Sequence, residues 1–327
     1  MNTKEKFFEI SNPAEFLTLA LEVFSHQYLQ NQVYRRYVDA RGVKPEDVTC
    51  LEEIPFLPIE FFKSQQVLCG EAPPQVVFTS SGTTGMERSH HLVSDISLYC
   101  HSLLNGFSHF YGSPEEVQFL SLTPTPEQNP DSSLVFMIQQ LMDQSQSAEN
   151  GYFLTSYPGL KERLLQRRSP GKKVILIGLA YALLDFAKTN PGDYSPLIVM
   201  ETGGMKNQRR ELIRDELHPL LCRGFGVDTI HSEYGMTEML SQAYSMGQGL
   251  FSPVPWLKIM IRDINDPLAF VGIGKTGGIN IIDLANQNSC SFIATQDMGC
   301  LREKDQFEVL GRFQTGDIRG CSQMFEG

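Results

Sequence analysis

Apolar positions along this chain follow two patterns, and the change between them marks its organisation. From about residue 13 to 40, Phe16, Leu17, Leu19, Ala20, Val23, Phe24 and Tyr28 recur at helical spacing behind Pro13, which predicts a helix. Ile54-Pro55-Phe56-Leu57-Pro58 reads as an extended segment, and Gln75-Val76-Val77-Phe78 as a short strand. Helices are expected over 95–111 and 132–142, with a strand over 117–122 between them. The run Lys173-Val174-Ile175-Leu176-Ile177-Gly178 suits a strand buried on both faces, and Leu197-Ile198-Val199-Met200 is a second. Helices over 179–188 and 206–222 follow these two, and a further strand is expected over 227–230. Alternating strands and helices predict an α/β layout with parallel strands. From Leu257 the pattern shifts to short β-type pieces, 259–261, 278–282, 292–295 and 307–310, which predicts an antiparallel β subdomain.

Two polar segments interrupt this framework. The first is Thr79-Ser80-Ser81-Gly82-Thr83-Thr84-Gly85, directly after the strand at Val77-Phe78. Glycines let a backbone approach an oxyanion closely, and hydroxyls and amides donate to it. The same composition also fits a plain turn. It is not a Walker loop, because Met86-Glu87-Arg88 stands where a Gly-Lys-Ser/Thr sequence is required. The second is His231-Ser232-Glu233-Tyr234-Gly235-Met236-Thr237-Glu238, read as a loop at a strand's carboxyl end, where open α/β sheets bind ligands. There Tyr234 offers a ring to stack on a base, Thr237 a donor to phosphate, and Glu238 a carboxylate for Mg²⁺. A capped turn opening a helix fits the same residues.

Composition narrows the function classes. The chain has 327 residues, 41% of them apolar, and a formal net charge of −11, which disfavours general binding to nucleic acid or to an anionic membrane. No run is long enough to span a bilayer and no apolar signal core follows Met1, so the cytoplasm is the expected compartment. The seven cysteines form no C-x-x-C pair and the seven histidines no H-E-x-x-H, so neither a zinc site nor a dithiol site is expected. Cys321 differs from the others in lying in a polar tail, where an idle thiol is the ordinary reading.

Taken in order, Thr-Ser-Ser-Gly-Thr-Thr-Gly and then Tyr-Gly-Met-Thr-Glu resemble the adenylate-forming superfamily, which activates carboxylates with ATP. Three further elements resemble it. Met200-Glu201-Thr202-Gly203-Gly204 is similar to its glycine-containing loop against adenine. Thr295-Gln296-Asp297 is similar to the Thr-Gly-Asp motif whose Asp grips the ribose, and Gly311-Arg312 to the Gly-Arg at its hinge. Thr315-Gly316-Asp317 spells the literal motif, but it follows Gly311-Arg312, whereas the family's ribose motif precedes that pair; Asp297 is preferred. Among these enzymes the chain most resembles the bacterial acyl-protein synthetases, and more distantly the phenylacetate–CoA ligases. The likeness rests on Phe307-Glu308-Val309-Leu310-Gly311-Arg312, Asp317-Ile318-Arg319-Gly320-Cys321 and Gly203-Gly204-Met205-Lys206.

The resemblance implies the family's large N-terminal catalytic domain over 1–310 and a hinge with a truncated tail over 311–327. The family's small mobile C-terminal domain and its lysine are expected to be lacking. It implies that Ser80, Ser81, Gly82, Thr83, Thr84 and Gly85 hold phosphates, and that Glu238 binds Mg²⁺. Tyr234, Gly203 and Gly204 would flank adenine, Gly235 would belong to the same nucleotide site, Thr237 would meet phosphate, Asp297 the ribose, and Arg312 ribose or phosphate. Thr83, Glu238, Lys206 and Cys321 are the implied catalytic residues, although Lys206 also reads as a solvated surface lysine; His90-His91, after the phosphate loop, read as phosphate contacts or as an ordinary surface pair. The implied reaction converts a fatty acid and ATP into acyl-AMP, then passes the acyl group to a thiol, Cys321 or coenzyme A. An acyl-accepting reductase or carrier protein is the implied partner. A protein that binds ATP or an acyl-adenylate without turnover is the alternative.

Overall fold

The computed structural model describes residues 6–81, 87–166, 171–203 and 212–313. The expected N-terminal helix is two helices, α1 (Pro13–Gln30) and α2 (Gln32–Ala40). Asn31 divides them: its side chain accepts from the Tyr34 amide at 3.0 Å, capping α2, and donates to the Ser289 carbonyl at 2.9 Å. Asn31 itself is extended, with φ −105° and ψ 105°, its side chain capping α2 at one end and bonded across the fold at the other, which is why an unbroken 13–40 helix does not form. β1 (Leu57–Pro58) and the short helix α3 (Phe61–Ser64) follow.

β2 (Val76–Thr79) and β3 (His90–Val93) form a separate antiparallel hairpin. The α/β half then runs α4 (Ile96–Tyr111), β4 (Val117–Leu122), α5 (Ser133–Ser145), β5 (Gly151–Tyr152), α6 (Tyr157–Gln166), β6 (Lys173–Leu179), α7 (Ala180–Thr189), β7 (Leu197–Thr202), α8 (Arg214–Phe225) and β8 (Ile230–Tyr234). Strands β5, β4, β6, β7 and β8 lie side by side and parallel, as the buried apolar runs predict. Alternation along these strands feeds two cores. Val117, Phe119, Ile175, Ile177 and Met200 face α4 and α5, which contribute Tyr99, Leu103, Phe107, Ile138 and Leu141. Leu120, Leu122, Leu176, Leu197 and Val199 face α6, α7 and α8, which contribute Leu160, Leu183, Phe186, Leu221 and Phe225. Each such side chain stabilises the fold by about 1.5–3 kcal/mol on burial, so covering both faces is what makes a parallel sheet viable.

The C-terminal part comprises β9 (Ala243–Ser245), β10 (Leu250–Pro253), β11 (Leu257–Arg262), β12 (Thr276–Asp283), β13 (Phe292–Leu301) and β14 (Phe307–Arg312). These strands are antiparallel as expected, but they do not make a sheet of their own. β9 pairs with β8, and the order continues β10, β14, β13, β12, β11, so among the described residues one twelve-stranded sheet runs through both halves. The junction at β8 therefore belongs to both. Two positions differ from the sequence expectation there. The last helix begins at Arg214, not 206, with 204–211 outside the described residues. The strand expected at 227–230 is instead Ile230–Tyr234, so half of the second polar motif is strand and not loop. No helix opens after it; the chain turns into β9.

Candidate active site

The parallel strands β7 and β8 end side by side at Thr202 and Tyr234, with Thr202 aligned to Glu233. Carboxyl ends of parallel strands, flanked here by the first antiparallel strands, are the usual ligand edge of such a sheet. The ring of Tyr234 is buried and packs edge-on against Phe251 and Phe307, with centroids 5.9 and 5.6 Å away. Burial, then the charge of Asp297, raises the phenol's pKa well above its ordinary value. The hydroxyl therefore stays protonated and donates to Asp297 Oδ2 at 2.9 Å.

Asp297 sits in β13 directly opposite Arg312 in β14, and Arg312 Nε donates to Asp297 Oδ1 at 2.9 Å. Asp297 also has its own amide donating to Thr295 Oγ1 at 3.0 Å, which fixes the backbone. The Asp297 side chain is 9% exposed, whereas the Arg312 side chain is 57% exposed, so the pair is a buried acceptor closed by a long, solvent-facing cation. Three segments separated by up to 78 positions in sequence (Tyr234, Asp297 and Arg312) thus meet at one carboxylate. Each of its oxygens has a second lone pair, so it can accept two more hydrogen bonds from a ligand.

The hairpin β2–β3 brackets the first polar segment. The Ser80 amide donates to the Ser89 carbonyl at 3.0 Å and the Ser89 amide to Ser80 Oγ at 2.9 Å, so the chain leaves and returns at one point. Ser81 is exposed beside it. Gly82, Thr83, Thr84 and Gly85 lie outside the described residues, as do Gly204, Lys206, Asp317 and Cys321. Gly203 is described: it is exposed and has φ +67°, a left-handed conformation that glycine adopts without strain.

His91 connects the hairpin to the second motif. Its Nδ1 lies 2.8 Å from the Thr237 carbonyl and its Nε2 3.0 Å from Asn286 Oδ1. It is wholly buried, and burial pulls its pKa down to about 4 despite those two bonds. This replaces the expected surface pair: in β3 His90 points out and His91 in. Asn286 Nδ2 donates to the Glu238 carbonyl at 2.8 Å, which fixes the backbone behind Glu238, a residue only 4% exposed. Asp283 completes the support by accepting from the amides of Leu240 and Ser241 at 2.8 and 3.0 Å. Burial raises its pKa to about 6 against those bonds.

On the other side of β8, Glu201 accepts from Arg214 Nε at 2.7 Å. Burial opposes its ionisation, but the Arg214 charge with His218 and Ser232 outweighs it, and the carboxyl's pKa falls below its ordinary value. Arg214 also donates to the Val309 carbonyl at 3.1 Å and lies over the Phe251 ring, which ties α8 to β14. His91, Asn286, Asp283 and Arg214 were not legible as site residues.

A single hard carboxylate such as Glu238 suits Mg²⁺, which is commonly held by one or two carboxylates together with substrate phosphates. No group of three or more His, Cys, Asp or Glu that could hold a metal by itself occurs among the described residues. No described helix is long and apolar enough to cross a membrane.

The fold is that of the large N-terminal domain of the adenylate-forming ligases. It superimposes on 2-hydroxyisobutyryl-CoA ligase in complex with 2-HIB-AMP and CoA with a TM-score of 0.70 at 12% identity, covering 97% of this chain and 75% of that one. ATP-bound MatB from Rhodopseudomonas palustris matches with a TM-score of 0.55 at 13% identity over 72% of this chain, which spans only 47% of MatB. The family model described as "Acyl-protein synthetase, LuxE" matches residues 13–327, and the chain belongs to that family. A relative in sequence is the long-chain-fatty-acid–luciferin-component ligase of Vibrio harveyi, 22% identical over 91% of this chain and 84% of the relative. The chain is therefore an ATP-dependent acid–thiol ligase.

Proposed function

We propose that the chain activates a long-chain fatty acid as acyl-AMP and passes the acyl group to the thiol of its own Cys321. The observation that carries the nucleotide part is the buried Asp297 carboxylate, held by Tyr234 and Arg312 with one lone pair free on each oxygen. Two adjacent hydroxyls, as on a ribose, match that pair of acceptors. The exposed Gly203 and the rim of Tyr234 then flank the base. Ser80 and Ser81, with Gly82, Thr83, Thr84 and Gly85, take the phosphates, and Gly235 and Thr237 line the path between base and phosphates. Glu238 holds Mg²⁺ on the triphosphate, which offsets charge there. Lys206, beyond Gly204, reaches the α-phosphate.

In the first step a carboxylate oxygen of the acid attacks the α-phosphorus of ATP in line, the bond to the β-phosphate's bridging oxygen breaks, and pyrophosphate leaves. Placement and charge stabilisation account for most of the protein's contribution. In the second step the thiolate sulfur attacks the acyl carbon, the bond to the AMP oxygen breaks, and AMP leaves; the thiol's proton goes to solvent. Among the described cysteines, burial raises the pKa of Cys50, Cys100, Cys222 and Cys290, and pushes Cys69 up to about 12. Such thiols stay protonated at neutral pH and make poor nucleophiles. Cys300 is buried and its thiol donates to the Leu301 carbonyl. Among the chain's own cysteines this leaves Cys321 as the acceptor in the reaction we propose, with a reductase or carrier protein taking the acyl group onward.

The test is incubation with ATP, Mg²⁺ and labelled long-chain fatty acid. One hydroxylamine-labile label per chain is expected, absent from Cys321→Ser while pyrophosphate exchange continues. A label that survives the substitution removes Cys321 as acceptor. Acyl-CoA as the sole product, formed only with added coenzyme A, makes coenzyme A the acceptor.

A further inference from the structure

The two polar motifs of the chain meet through two buried side chains, His91 and Asn286. His91 lies in β3 opposite Phe78 of β2, in the hairpin that the bonds between Ser80 and Ser89 close at the root of the phosphate segment. Phe62 packs edge-on against the His91 ring and Phe78 edge-on against Tyr99, with centroids 5.9 and 5.6 Å apart. Phe62, Phe78 and Tyr99 all belong to the larger core, so the hairpin is seated on packed side chains.

Asn286 lies in the short turn after β12, and both ends of its amide are used. Nδ2 donates to the Glu238 carbonyl at 2.8 Å and to the Cys290 carbonyl at 2.9 Å, and these two acceptors fix which end of the amide is nitrogen. Oδ1 therefore faces His91 Nε2, 3.0 Å away. The Asn286 carbonyl is held in turn by Gln27 Nε2 of α1 and by the Ser289 amide, each donating to it at 3.1 Å. The His91 ring, kept neutral by burial, carries one N–H. On Nδ1 that proton is donated to the Thr237 carbonyl. On Nε2 it is donated to Asn286 Oδ1, and Asn286 carries the connection to the Glu238 carbonyl. In either tautomer the hairpin is tied to the Thr237-Glu238 pair.

We infer that His91 and Asn286 are positioning residues that couple the two motifs: they set the spacing between the phosphate segment rooted at Ser80 and Ser89 and the Glu238 carboxylate. The inference rests on the phosphate and Mg²⁺ roles proposed above for those motifs. Neither side chain has to touch nucleotide or metal. Mg²⁺ shared between a carboxylate and phosphates demands near-ideal octahedral geometry with ligands at about 2.0–2.1 Å. A displacement of about 1 Å of one motif against the other therefore breaks the sharing, and misplacements of that size cost up to about a hundredfold in rate.

The experiment measures the Kd for ATP with Mg²⁺ and with EDTA in its place, and fatty-acid-dependent pyrophosphate exchange, in wild type, Asn286→Ala, Glu238→Gln and the double variant, with urea unfolding as the check of fold. In Asn286→Ala the Kd with EDTA should stay within about threefold of wild type, because the Asp297 ribose contacts come from other strands. The gain in affinity on adding Mg²⁺ should shrink, and exchange should slow by about tenfold or more. In the Glu238→Gln background, Asn286→Ala should cost less than about threefold further, because it acts through a carboxylate already lost. A folded Asn286→Ala with wild-type exchange and wild-type Mg²⁺ gain would overturn the inference. So would a full tenfold loss in the Glu238→Gln background, or a loss of affinity that is the same with Mg²⁺ and with EDTA. Should Asn286→Ala fail to fold, His91 decides. His91→Ala should show the same losses, and His91→Gln, whose amide can donate to Asn286 Oδ1, should recover most of them; equal losses in the two overturn the inference. A chain that supports no exchange with any acid, yet loses its Mg²⁺ gain in Asn286→Ala, refutes the ligase reading and leaves this inference standing.

Discussion

Asp297→Asn is the sharpest perturbation of the nucleotide site, because it removes a charge and little else. Asn is isosteric. Its Oδ1 can still accept from Arg312 Nε, now 2.9 Å from Asp297 Oδ1, and the Tyr234 hydroxyl can rotate to accept from the amide in place of donating to Oδ2 at 2.9 Å. Arg312 is more than half exposed, so water compensates it for the lost charge. Stability should therefore change by about 1 kcal/mol or less. Binding of a ribose changes more. A hydrogen bond to a charged acceptor is worth about 1.5–3 kcal/mol and one to a neutral acceptor about 0.5–1.5 kcal/mol. One ribose hydroxyl is weakened in this way by about 1–1.5 kcal/mol, and the other, meeting the Asn Nδ2 donor, loses its charged acceptor at about 1.5–3 kcal/mol, so the loss together is about 2.5–4.5 kcal/mol, or roughly 70- to 2,000-fold in Kd. Calorimetric titration with ATP, beside Asp317→Ala as control, reads this directly. A folded Asp297→Asn with a Kd within threefold of wild type would refute the assignment. A large loss in Asp317→Ala instead would move the ribose site to the literal Thr-Gly-Asp.

Two other substitutions address charge elsewhere in the site. Glu238→Gln should keep the fold but slow adenylation by about two orders of magnitude, roughly 3 kcal/mol in the barrier, and near-normal pyrophosphate exchange would contradict the Mg²⁺ role. Glu233→Gln should change how stability depends on pH. The carboxyl's pKa rises from 4.5 to about 7 on folding, so the native state binds the proton more tightly and wild-type stability falls as pH rises from 4.5 to 7, then levels off. The Gln variant lacks that fall and should gain about 3 kcal/mol on wild type between pH 4.5 and 8, read by urea unfolding at both ends; parallel pH dependences would contradict it.

Much of this architecture was readable because burial on both faces writes itself into composition. The runs at Val174–Gly178 and Leu197–Met200 have no polar residue to confuse a strand assignment, and the structure places β6 and β7 there. β8 was placed three residues early for the opposite reason. His231, Ser232 and Glu233 are polar yet buried, so hydropathy stops where the strand in fact continues. Asp297 could be chosen over Asp317 because order relative to Gly311-Arg312 survives in the sequence, and the β13–β14 register pairs Asp297 with Arg312. The support of the site was not readable. His91 meets Asn286 across 195 positions, and Glu233 meets Thr202 across 31, through sheet register and loop packing that no local pattern encodes.

The central claim is that this chain forms an acyl-adenylate from a long fatty acid. Exchange of labelled pyrophosphate into ATP, run across short, long and aromatic acids with Mg²⁺, measures that step alone and without regard to the thiol acceptor. Exchange that depends on long-chain fatty acid and falls sharply in Asp297→Asn and Glu238→Gln is the predicted result. Tight ATP binding with no exchange for any acid would contradict the account and leave a nucleotide-binding protein that does not activate carboxylates.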